Sequence, residues 1–131
     1  MAPAQSICGR RILVVEDEVF IGEDLKRILE ESGAVVLGPS MTVAGAMKLA
    51  TSELLDAAIL DVGLRGEDVT AVAAVLASRA IPFVFCSGYQ RDSAFDPWPD
   101  APWLGKPVSQ EVLISALVGL TAPLSRAVRP S

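Results

Sequence analysis

The 131-residue chain contains no histidine. That absence removes the commonest general base and every histidine-based metal site. Cysteine occurs only as Cys8, in the leading segment, and Cys86, inside an apolar run. Two cysteines without a local motif make neither a zinc site nor a disulfide framework, so a reduced compartment is the expectation. Positive charge is scarce, with 11 Lys and Arg against 16 Asp and Glu and a net charge of -5. Without a basic cluster, sequence-independent binding to a phosphate backbone has no electrostatic footprint, and no direct nucleic-acid partner is expected. Every apolar stretch is broken by charge well before the roughly 18 to 20 residues of a membrane span. Met1 to Cys8 also lacks the charged-then-apolar layout of a secretory signal, so the expectation is a cytoplasmic protein with no membrane partner.

What is present is an alternation of strand-like and helix-like segments. Arg11 to Val15 reads as a first strand, continuously apolar and mostly β-branched after its leading arginine, ending in Glu16-Asp17-Glu18. Phe20, Ile21, Leu25, Ile28 and Leu29 then recur at helical spacing, and Gly33 stops that helix. Ala34 to Leu37 reads as a second strand closed by Gly38-Pro39-Ser40, and Thr42 or Ser40 is placed to cap a second helix. Asp56 to Leu60 is a third strand that meets Asp61 and a Gly63 to Gly66 turn. Glu67 and Asp68 sit where a helix start favours acids, ahead of a third helix over Val69 to Arg79. Pro82 begins a fourth strand through Cys86, ended by Ser87-Gly88. Pro97, Pro99 and Pro102 allow at most one or two helical turns in Gln90 to Pro102. Trp103 to Gly105 is a weak fifth strand, and Ser109 caps a last helix. Five such pairs predict one doubly wound α/β domain over residues 10–121, between flexible tails at 1–9 and 122–131.

In that architecture ligands bind outside the carboxyl ends of the strands. Glu16, Asp17, Asp61, Ser87 and Lys106 all fall there. Three crowded carboxylates repel one another unless protonated or neutralised, and a hard divalent cation with oxygen ligands, magnesium above all, suits them. A lysine and a hydroxyl beside an aspartate supply what an incoming phosphoryl group needs, and aspartate is a known covalent phosphoryl acceptor.

These residues resemble a family. Val14-Val15-Glu16-Asp17-Glu18, Ile59-Leu60-Asp61-Val62, Phe85-Cys86-Ser87-Gly88 and Gly105-Lys106-Pro107, in that order at strand ends, resemble the receiver domain of two-component response regulators. The resemblance runs from about Arg11 to Leu120. It implies a flavodoxin-like, five-stranded parallel sheet in the order 2-1-3-4-5, here with a shortened or irregular fourth helix. It implies that Asp61 accepts a phosphoryl group from a histidine kinase or histidine phosphotransfer protein. It assigns Mg2+, or Mn2+, to Glu16, Asp17, Asp61 and the backbone carbonyl of Gly63. It makes Ser87 and Lys106 the groups that read the phosphate, and Trp103 an aromatic switch, with Tyr89 as a partner-facing candidate. The implied protein is a signalling switch rather than a turnover enzyme, a monomer or weak homodimer acting through a downstream protein or a phosphorelay.

The segments Ile81 to Tyr89 and Asp61 to Glu67 are similar to a narrower group, the stand-alone alphaproteobacterial receivers with a Phe-Ala-Thr-Gly signature on strand four, some of them in general stress signalling. Cys86 and Ser87 stand where that group carries Ala and Thr, and Arg65 stands where many receivers carry Pro.

Taken singly, each motif has a plainer reading. Glu16-Asp17-Glu18 alone is a solvated loop, Ser87 a turn residue, Lys106 a surface lysine, Trp103 and Trp98 packing groups, and Cys86 a small buried hydrophobe. Two other functions fit the same residues. One is a magnesium-dependent phosphatase or phosphotransferase with an aspartate nucleophile. The other is a binding-only pseudo-receiver.

Overall fold

The computed structural model describes residues 6–121. Five strands, β1 (Arg11–Val15), β2 (Val35–Ser40), β3 (Ala57–Asp61), β4 (Phe83–Ser87) and β5 (Trp103–Gly105), alternate with helices α1 (Val19–Glu31), α2 (Val43–Ser52), α3 (Thr70–Ser78) and α4 (Gln110–Leu120). The strands form one sheet in the order β2-β1-β3-β4-β5, and every neighbouring pair is parallel. This is the doubly wound arrangement that the alternation predicts, in the flavodoxin-like order that the resemblance implies. The chain moves outward from β1 to β2, then returns past β1 to β3, so the order reverses between β1 and β3. A crevice opens at such a reversal, on the side of the strand carboxyl ends.

Strand alternation sorts the core into two layers. Leu13, Val15, Ala58, Leu60, Phe83 and Phe85 face Ala46 and Ala50 of α2 and Val72, Ala73 and Leu76 of α3. Ile12, Val14, Ala57, Ile59, Val84 and Cys86 face Leu25 and Leu29 of α1 and Leu113 and Leu117 of α4. Burial on both faces explains why β1, β3 and β4 read as continuous apolar runs. Each fully buried leucine, such as Leu76 or Leu117, contributes roughly 1.5–3 kcal/mol of transfer free energy.

Helix ends follow local chemistry. Gly33 takes φ +90° just past α1, a conformation that a side chain disfavours. Thr42 caps α2 by accepting from the Gly45 N–H at 3.0 Å, and Ser109 caps α4 by accepting from the Val112 N–H at 3.1 Å.

The structure departs from the sequence expectation in four places. β2 runs on through Gly38-Pro39-Ser40, because an edge strand tolerates proline and Ser40 still pairs with Val15. The register slips between Leu13 and Val15 to allow this. Glu67 does not serve the start of α3; its Oε1 accepts from the Val43 N–H at 2.5 Å and so caps α2. Ile7, placed in the leading tail, is 1% exposed and packs with Ile12 and Leu29, so ordered packing begins ahead of residue 10. The strand and helix ends of β3, α3 and β4 lie one residue from the expected ones. The expected tail residues 1–5 and 122–131 lie outside the described residues. Among the described residues, no helix is long and apolar enough to cross a membrane, and Cys8 and Cys86 are both free thiols.

Candidate active site

Alternation along β3 decides what Asp61 faces. It shares a side of the sheet with Ala57 and Ile59, as Glu16 continues the side of Ile12 and Val14 beyond the end of β1. β1 and β3 are neighbours, so the two acids meet at the reversal point. Glu16 is 1% exposed and Asp61 2%. Asp17, next in the chain, adds a third carboxylate, and one oxygen from each of the three lies within 4.8 Å of the others.

Lys106 holds two of these acids. Its Nζ donates to Glu16 Oε1 at 3.0 Å and to Asp61 Oδ1 at 2.9 Å. Its backbone N–H donates to the Ser87 carbonyl at 2.8 Å, so β4 fixes where the lysine starts. The Gly63 N–H donates to the same Asp61 Oδ1 at 2.9 Å, which holds the carboxylate in one orientation. A Cβ on Gly63 would lie 3.5 Å from that oxygen, an ordinary contact. Glycine is therefore not sterically required there.

The charge balance of the pocket shows in its titration. Burial, together with the hydrogen bond to Asp61 and its charge, pushes the Glu16 carboxyl up to about 7, against an opposing pull from Lys106. Burial alone would lower the Lys106 ammonium, but its bonds to Asp61 and Glu16 outweigh that and raise it. The cluster therefore contains more negative charge than one lysine can neutralise. Three oxygen donors in that condition fit a hard divalent cation.

Ser87 lies on the other side of the sheet, with Phe83 and Phe85, and is 2% exposed. Its Oγ accepts from the Tyr89 N–H at 2.9 Å. The Tyr89 carbonyl in turn accepts from Trp103 Nε1 at 2.9 Å, while the Tyr89 side chain is 78% exposed. Trp103 is half-buried, with its ring 5.6 Å from Phe85 and 5.0 Å from Phe95. Ser87, Tyr89 and Trp103 are thus linked by hydrogen bonds, and Trp103 is both a packing group and a link. Cys86 is buried, its thiol pushed up to about 12 by that burial, as a small hydrophobe requires.

The segment between β4 and β5 has only one short 3-10 turn, Ser93–Phe95, where a fourth helix would stand. Arg91 organises it. The guanidinium donates to the carbonyls of Ala101 at 3.0 Å, Phe95 at 3.1 Å and Trp98, and lies 5.6 Å from the Trp103 ring centre. A side chain replaces the hydrogen-bond ladder that the prolines prevent.

Sequence reasoning missed Arg91, and it gave Arg65 no contact. The Arg65 N–H donates to Asp17 Oδ2 at 3.0 Å, and Arg65 Nε lies 3.8 Å from that oxygen. The available signals were an arginine in a proline-rich stretch and a lone cation four residues after the candidate nucleophile.

No family model matches the chain. It is similar to SdrG from Sphingomonas melonis Fr1, with 43% identity, a TM-score of 0.74 and coverage of 88% of this chain and 98% of that one. A response regulator receiver protein from Sinorhizobium medicae WSM419 shares 25% identity and a TM-score of 0.76, over 86% of this chain and 94% of that one. The transcriptional regulatory protein PdtaR of Mycobacterium tuberculosis is 30% identical over 118 residues, which cover 87% of this chain and 58% of PdtaR. The chain thus spans little more than half the length of that relative. With its strand order, its acids at the reversal point and these likenesses together, the chain belongs to the response regulator receiver domains.

Proposed function

We propose that this domain is a phosphoryl-accepting switch with Asp61 as its nucleophile. The observation that carries the reading is the Lys106 ammonium bridging Asp61 and Glu16 in a buried cluster of three acids at the sheet's reversal point. Asp61 is oriented by two donors on one oxygen. A carboxylate oxygen of Asp61 attacks the phosphorus of a donor, a P–O bond forms, and the donor's bond to phosphorus breaks with its electron pair leaving on the donor. With a phosphohistidine donor the leaving group is an imidazole. These 131 residues contain no histidine, so they cannot supply that donor themselves.

Phosphoryl transfer is mostly positioning and charge neutralisation. Lys106 is placed to follow the charge from the carboxylate to the new phosphoryl oxygens. Ser87 ends β4 one residue beyond the partner of Asp61, and its Oγ, now accepting from Tyr89, is the hydroxyl available to a phosphoryl group that projects past the strand ends. Glu16, Asp17, Asp61 and the Gly63 carbonyl are the groups that would hold Mg2+ or Mn2+, which when bound supplies further neutralisation of the phosphoryl oxygens.

The switch follows from the bonds that Ser87 makes. Drawing its hydroxyl toward a phosphoryl group perturbs the Tyr89 N–H, and through the Tyr89 carbonyl the indole of Trp103. The surface over β4 and β5 is the output, read by a downstream protein or a further step of a phosphorelay. The test is intact-mass spectrometry after incubation with a small acyl phosphate and magnesium. Wild type gains one phosphoryl group and Asp61→Asn gains none; an unmodified wild type, beside a control receiver that is labelled, refutes the reading. Repeated turnover of an aryl phosphate would point to a phosphatase instead.

A further inference from the structure

The three acids do not share one partner. Lys106 is bonded to Glu16 and Asp61. Asp17 instead meets Arg65, whose N–H and Nε both approach Oδ2, at 3.0 and 3.8 Å. The Asp17 side chain is 13% exposed and the Arg65 side chain 88%, so this ion pair sits at the mouth of the site. We propose that Arg65 is a positioning residue that competes with a divalent cation for the Asp17 carboxylate, and so sets how tightly the acids take that cation. The proposal rests on reading Glu16, Asp17 and Asp61 as a magnesium site.

The chemistry is a matter of lone pairs. A guanidinium has five donors and no acceptor, so it cannot enter a coordination shell and can only oppose a second cation at the same oxygen. Its main-chain N–H is a separate contact. That bond belongs to the loop between β3 and α3, which is also tied down by Gly63 on Asp61 and Glu67 on α2. Any residue except proline at position 65 keeps the backbone N–H donor, so the charge can be removed while Asp17 stays oriented. There is room for the exchange as well. A recess of about 470 Å³ lined by Asp17, Glu18, Val19, Phe20 and Arg65 lets the guanidinium swing clear of the carboxylate. In the absence of a divalent cation, the acids are thus partnered by the chain's own two cations, one inside and one at the rim.

Isothermal titration calorimetry with Mg2+ tests this on the wild type, Arg65→Met, which keeps length and loses charge, and Arg65→Lys, which keeps charge. An exposed pair is worth about a two- to fivefold change in affinity at low ionic strength, and salt screens it. Arg65→Met therefore binds Mg2+ about two- to fivefold more tightly than wild type at low salt, the gain disappears at high salt, and Arg65→Lys tracks the wild type. Equal or weaker binding by Arg65→Met at low salt overturns the proposal, as does a gain that salt leaves intact or that Arg65→Lys shares. These results leave the magnesium site itself standing. Absence of Mg2+ binding in all three proteins overturns the proposal and the metal reading together.

Discussion

Glu16 offers a measurement of how strained the acid cluster is without a divalent cation. Burial, with Asp61 beside it, raises its carboxyl from the ordinary 4.5 to about 7. A carboxyl raised in the folded state holds its proton more tightly there than in the unfolded chain. Its stabilising effect is therefore complete below about pH 4.5 and is lost as pH rises toward 7. At about 1.4 kcal/mol per pH unit, the gap corresponds to roughly 3 kcal/mol. Glu16→Gln removes the titration and keeps the shape and an acceptor for Lys106. Urea denaturation in EDTA from about pH 3.5 to 8 should show equal stability for the two proteins at the acid end, where the carboxyl is protonated in both the folded and unfolded chain. At pH 8 the variant should be more stable by roughly 2–3 kcal/mol. Titrating groups outside the Glu16, Asp61 and Lys106 cluster are common to both proteins and cancel in the difference. Parallel curves would refute the reasoning, because they would mean that the Glu16 charge is no more costly in the fold than in water.

Two further perturbations address the parts that frame the site. Arg91→Ala removes the donor to three carbonyls of the segment between β4 and β5. Hydrogen exchange of the Trp98 and Ala101 amides should accelerate and stability fall by about 1–3 kcal/mol, with exchange in α1 unchanged. Gly38→Ala places a Cβ 2.6 Å from the Ser40 nitrogen and 2.7 Å from the Val14 carbonyl oxygen, at φ +103°. The backbone must move, costing about 1–3 kcal/mol in denaturant unfolding and loosening the Glu16 N–H bond to the Ser40 carbonyl.

The legible parts of this fold are those where one physical rule dominates. Runs such as Ile12 to Val15 and Phe83 to Cys86 are apolar throughout because both sheet faces are covered, and they mark strands without competition. Asp61 stands out because an acid ends such a run, and the topology rule brings Glu16 and Lys106 to it. The less legible parts are those where a distant partner overrides the local signal. Gly38-Pro39 reads as a turn, yet pairing with β1 carries the strand across it. Glu67 is placed to serve its own helix, but the neighbouring N-terminus of α2 takes it. Ile7 lies outside any periodic segment and is buried only because α1 and the sheet leave a space for it. Arg91 and Arg65 have no pattern around them, since their partners are backbone groups and a carboxylate brought near by folding.

The central claim is that Asp61 becomes a mixed anhydride with phosphate. Such a group is reduced by borohydride to an alcohol, whereas a phosphate ester on serine, threonine or tyrosine is not. Peptide mapping after acyl phosphate treatment with magnesium and borohydride reduction should find homoserine at position 61 and nowhere else. Phosphate retained on a hydroxyl residue, or reduction at another acid with Asp61 intact, would contradict the account.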